Sequence, residues 1–157
     1  MPGVALNNAP IQQASKSSHV SYVEKYKIGT ECASRDEYGN CTSERDVYTT
    51  ITHYTNAKIT GTVSGSHNVF VNGLSVLTVG DPTSEQWVAD PSPSPKNGGS
   101  IISISPGTSG SGQGSVAVGS PNVFVNGRAL AHIGSRVNTH LGTQSSITSG
   151  SSNVLVN

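Results

Sequence analysis

The chain has 157 residues, 33% of them hydrophobic and 11% charged, with a formal net charge of zero. An average domain carries about 45–50% apolar and ~25% charged residues, so these values describe one small-cored domain, not a disordered polyelectrolyte. A neutral chain lacks the basic field that nucleic-acid binding requires. No stretch approaches the ~18 apolar residues of a membrane span. The start MPGVALNNAP lacks the basic and apolar regions of a secretory signal, which predicts a protein made in the cytoplasm without a signal peptide. So small a core needs support from a metal, a disulfide or a partner subunit.

Residues 1–6 can form one short strand, and 7–18 are polar and read as loop. Val20, Tyr22, Tyr26 and Ile28 then fall at even positions with Ser21, Lys25 and Lys27 between them, which is the period of a strand. Asp46–Thr55 (DVYTTITHYT) is a second β-rich run. Paired as a hairpin centred on Asp36-Glu37, the two runs place Val20 opposite His53, Tyr22 opposite Ile51, Tyr26 opposite Val47 and Cys32 opposite Cys41. Opposed cysteines on neighbouring strands are close enough for a disulfide. The spacing predicts a β-hairpin arm over about 20–54, with Cys32 and Cys41 either bonded or, in a protein made in the cytosol, free thiols.

A first hairpin is predicted over about 61–80. Residues 89–113 alternate Pro and Ser, then Gly and Ser, and read as a surface loop with one short strand at Ile101–Ile104. A second hairpin follows over about 114–134, with Arg128–Ile133 as its return strand, then a loop over 134–146. A third unit begins at Ile147 and has only its first strand.

These hairpins are copies of one another. Gly65–Gly73 reads GSHNVFVNG, Gly119–Gly127 reads GSPNVFVNG, and Gly150–Asn157 reads GSSNVLVN. The first two match at eight of nine positions, so the chain repeats one small structural unit. Asn72-Gly73 and Asn126-Gly127 each join two β-rich runs, the strongest short-range signal of a tight hairpin. The fold class is all-β. Val69, Val71, Val123, Val125, Val154 and Val156 are the expected shared core, and Trp87 is expected to cover it.

The repeat, followed by a run ending in Gly80-Asp81-Pro82, resembles the PAAR-repeat proteins. These tip the central spikes of phage tails and of type VI and related contractile injection systems. Met1-Pro2-Gly3-Val4-Ala5 resembles the family's opening, and the resemblance covers 1–6 and 53–157. Residues 7–52 look like an insertion. Ser135 replaces the family's Asp after Gly134, and Asn97-Gly98-Gly99 stands where a His-containing motif is expected. The resemblance implies a single cone-shaped domain over 1–157, with three hairpins in pseudo-threefold array. Its base would sit on a homotrimeric β-helical spike, one tip per trimer, and meet the target cell envelope transiently. It also implies assembly at the virion tail spike or baseplate. The short chain, ending at its last repeat, favours a phage particle over a secretion system.

The resemblance further implies metal ligands near the point. His53 and His140 match ligand positions, and one zinc or iron ion needs three or four nitrogen or sulfur donors. Either the missing donors come from the arm (His19, Cys32, Cys41), or this member has lost its metal. Cys ligation and a Cys32–Cys41 disulfide exclude each other. His132 is expected at the surface or the base, and His67, at the variable position of the repeat, is expected to be exposed.

No carboxylate pair, Gly-x-Ser-x-Gly elbow or P-loop supports an enzyme. A metal-dependent hydrolase would need an open site at His53 or His140. A carbohydrate- or receptor-binding β-solenoid would need coils of near-equal length, and the repeat offsets are 54 and 31 residues.

Overall fold

The computed structural model describes all residues 1–157. It contains no helix and is built from antiparallel strands. In chain order these are β1 (Ala9–Pro10), β2 (Ala14–Arg35), β3 (Cys41–Val63), β4 (Phe70–Val71), β5 (Leu74–Ser75), β6 (Thr83–Asp90) and β7 (Ser100–Ser105). They continue with β8 (Ser109–Gly112), β9 (Ser115–Val116), β10 (Phe124–Val125), β11 (Arg128–Ala129), β12 (Arg136–Asn138) and β13 (Gln144–Ser146). The chain divides into two compact units, one of Met1–Ser17, Ala57–Val88 and Ser109–Asn157, the other of Ser18–Asn56 and Ala89–Thr108.

The first unit has threefold internal symmetry. In β4–β5, Phe70 pairs with Ser75 and Val71 with Leu74; in β10–β11, Phe124 pairs with Ala129 and Val125 with Arg128. Asn72 and Gly73 take φ of 54° and 81°, and Asn126 and Gly127 take 51° and 82°. Two consecutive left-handed residues make the type I′ turn that suits the twist of a hairpin. The third hairpin is completed by the start of the chain. Gly3 bridges Leu155, Val4 N–H donates to the Val154 carbonyl, and Val156 N–H donates to Pro2. The third repeat therefore does have a return strand, supplied by Pro2–Leu6.

The three return strands close on one another. Leu77 N–H donates to Ala5 O (3.0 Å), Ala5 N–H to Ala131 O (3.0 Å), and Ala131 N–H to Leu77 O (2.8 Å). Around this ring of bonds the bridges Val4–His132, Leu6–Val76 and Thr78–Leu130 repeat one geometry. Every backbone group in the ring is thereby paired, as burial demands. The core follows the same symmetry: Ala5, Leu77 and Ala131 lie at its centre, with Val63, Val116 and Ile147 in a second layer. Val4, Val76 and Leu130 pack with Val125 and Val156 in a second cluster, against which Val71 is half-buried.

Several segments expected as loops are strands. The Gly/Ser tract at Ser109–Gly112 pairs with β6, where the Trp87 ring covers Gly110 in place of a side chain. Residues 134–146 contain β12 and β13, which pair with each other, and β12 also pairs with β9. The expected loop at 7–18 contains β1 and the first residues of β2.

The second unit is the arm. Its strands are longer than predicted, 22 and 23 residues in all, and only their roots fall outside this unit. Cys32 and Cys41 are joined, with their Cα atoms 5.7 Å apart. Lys27 is paired with Asp46 at 3.0 Å, and Lys25 Nζ sits 5.1 Å from the Tyr48 ring centroid. These three contacts share the predicted register. Nearer the root Tyr22 packs on His53, ring centroids 5.2 Å apart. β7 runs along β2 from Ser21 to Lys25, with a bulge between Val23 and Glu24.

Candidate docking face and buried histidine–carboxylate pairs

The repeat GSxNVFVNG can now be read residue by residue. An added Cβ at Gly119 would stand 2.8 Å from the Leu130 carbonyl oxygen, and one at Gly150 would collide with Val4 O, so each position must be bare. The serine turns the chain: Ser120 Oγ accepts from the N–H of Asn122 and Val123, and Ser151 Oγ from the N–H of Asn153 and Val154. The turn asparagines link successive hairpins, Asn72 Nδ2 to Asn153 Oδ1 and Asn126 Nδ2 to Asn68 Oδ1, both at 3.0 Å.

That serine turn corrects the predicted core. In these two repeats it places Val123 and Val154 before the ladder, and both, like Val69, are exposed. Only the valines inside the ladder point inward, with Val125 and Val156 buried and Val71 half-buried. Alternation then turns the intervening residue out: Phe70 is 62% exposed, Phe124 58% and Leu155 50%. Threefold symmetry sets equivalent residues at one height about one axis. The unit thus presents a ring of large apolar side chains, Phe70, Phe124 and Leu155, supported by Val69, Val123 and Val154. An exposed apolar patch of this kind marks an interaction surface.

The histidines pair with carboxylates. In the arm, His53 Nε2 lies 2.9 Å from Glu24 Oε1. Glu24 is fully buried and accepts further bonds from the N–H of Lys96, Asn97 and Gly99 and from Asn97 Nδ2, at 2.9–3.2 Å. Burial works to raise its pKa. The bonds from His53 and from the Lys96, Gly99 and Asn97 N–H groups outweigh it and hold the carboxyl at about 2. Asn97-Gly98-Gly99, where a His motif was expected, is thus a nest of donors around Glu24.

In the threefold unit, His140 Nδ1 lies 2.7 Å and its N–H 3.0 Å from Glu85 Oε1. Glu85 is buried and also accepts from Thr83 Oγ1, which in turn accepts from Gly114 N–H at 2.7 Å. A carboxylate on Nδ1 fixes the proton there and leaves His140 Nε2 bare; that atom is buried without a partner. His67 corrects its expected exposure: Nε2 lies 2.9 Å from both Asp81 oxygens and 3.2 Å from Thr78 Oγ1, and the side chain is mostly buried. His132 Nδ1 donates to Ile133 O at 2.8 Å, and His132 is half-buried. His19 lies half-buried on β2.

This donor set does not fit one zinc or iron ion. No three His, Cys, Asp or Glu side chains gather. The sulfurs of Cys32 and Cys41 are bonded to each other, and His53 Nε2 is turned to Glu24. His140 has one ring nitrogen on a carboxylate and the other buried without a partner, and it has no second donor beside it to share an ion.

Glu24 and Glu85 were not foreseen as buried partners, although parity marks both. Glu24 shares the even positions of Val20 and Tyr22. Glu85 shares the odd positions of Trp87 and Ala89, all buried in β6. No protein-family model matches the chain, and no curated protein matches it.

Proposed function

We propose that this protein is a structural tip that caps a homotrimeric β-helical spike of a contractile tail and helps it pierce the target envelope. The observation that carries the reading is the ring of Phe70, Phe124 and Leu155, exposed at equivalent positions of a threefold built from one chain. A homotrimer ends in three identical edges. A single chain can cover all three at once only if it presents three near-identical apolar contacts, and this unit does. Burying large side chains there contributes about 1.5–3 kcal/mol each, and three in one rigid array gain further because they are already ordered before contact. The ring of main-chain bonds through Ala5, Leu77 and Ala131 supplies the stiffness that a load-bearing tip needs.

The role is structural: the chemistry-bearing side chains are turned to one another in buried pairs, and a resident ion is no part of the reading. Assembly on the tail spike after cytoplasmic synthesis, with no nucleic acid involved, agrees with the neutral charge. The test is binding of the purified chain to the trimeric spike of its own particle. Phe70→Asp with Phe124→Asp should abolish binding while the circular dichroism of the fold is kept. Undiminished binding by that double variant would remove this face as the docking surface.

A further inference from the structure

The arm carries a second surface. β7 covers β2 only from Ser21 to Lys25. On the other side, β6 ends at Asp90, and beyond it Thr55 Oγ1 donates to Pro91 O. The edge of β3 before that point faces nothing in this chain. Its segment Val47–Thr52 reads VYTTIT: six residues of high β-propensity without charge, Pro or Gly. Tyr48, Ile51 and Tyr54 are exposed along it. A two-stranded ribbon of this length, open on both faces, is marginal by itself, and an unprotected uncharged edge is a template for strand addition.

We propose that this edge is a self-association surface, on which β3 of a second copy adds antiparallel about Thr50. A cross-strand disulfide marks a non-hydrogen-bonded pair, so the main-chain groups of Cys41 face away from β2. By alternation so do those of Val47, Thr49 and Ile51, which are then free to bond the copy. In this register Thr50 opposes Thr50, Thr49 opposes Ile51, and Asp46 opposes Tyr54, so no like charges meet. Beyond Lys25 the other open edge of the ribbon, on β2, carries Lys27, Glu31 and Arg35, and charges of this kind protect an edge against strand addition. Because the register about Thr50 is self-complementary and opposes no like charges, the occupant of the β3 edge is a second copy of this chain, and the pairing turns two ribbons into one four-stranded sheet. The surface belongs to the arm and does not rest on the spike-tip reading.

Sedimentation of the full chain over a concentration series tests this. The wild type should show a monomer–dimer equilibrium. Thr50→Lys and Thr50→Glu, each placing like charges face to face, should both sediment as folded monomers. An equimolar mixture of the two should regain the dimer, since Lys then opposes Glu. A wild type that stays monomeric at every concentration would overturn the proposal. So would a dimer indifferent to both charges, or a mixture that stays monomeric.

Discussion

Leu77 is the place to perturb the threefold unit. It is fully buried, and its equivalents in the other two repeats are Ala5 and Ala131. One leucine therefore fills the centre for all three repeats. Its Cδ2 reaches to within 2.8 Å of where a Cβ on Gly65 would lie, so the side chain runs against bare backbone. Leu77→Ala would leave three alanines around the axis. The surrounding ring of main-chain bonds cannot collapse into the void, and the cost belongs in the upper part of the range for such changes, about 3–5 kcal/mol. For a protein of this size that is a fall in Tm on the order of 10 °C. Leu77→Met, which keeps the volume, should cost less than about 1.5 kcal/mol. Trp87 is the only tryptophan and is buried in the same unit, so its fluorescence in a urea titration reads this loss directly. A loss under about 1 kcal/mol, the ordinary effect of a point mutation, would refute a centre held by one side chain.

Glu24→Gln should destabilise the arm at neutral pH, and the difference from wild type should shrink as the pH falls toward 3. The folded carboxyl is held at about 2 against an ordinary value of 4.5. Its contribution is therefore complete above 4.5 and is lost as pH falls from there through 2; urea midpoints at pH 7 and pH 3 check this. Gly150→Ala forces a Cβ onto Val4 O and should cost about 1–3 kcal/mol, because the segment that completes the third hairpin must shift; a Tm unchanged from wild type would contradict it. Cys32→Ser with Cys41→Ser should raise amide exchange in the distal ribbon, where no residue from Lys25 to Ile51 is buried, and leave the threefold unit unchanged. Exchange mass spectrometry separates the two units.

The turns were legible because Asn-Gly has few uses other than a hairpin, and the arm's distal register followed from the cysteine pair. The third return strand was not, because no turn in sequence links Pro2–Leu6 to its partner at Val154–Val156. Glu24 and Glu85 were passed over because a charge overrides parity in a reading by hydrophobicity. Only the donors gathered around them, from Asn97 and Gly99 or from Thr83 and His140, make their burial tolerable. The SGSG strand was invisible for the opposite reason: its partner Trp87, not its own side chains, supplies the packing. The outward turn of Val123 and Val154, beside the apolar ring, depends on serine hydroxyl bonds that periodicity does not register.

The most direct test is native mass spectrometry of this chain mixed with the spike trimer of its own particle. The threefold face predicts one chain on each trimer, lost when Phe70 and Phe124 carry charge. Three chains per trimer, or a chain that leaves the trimer bare, would contradict it.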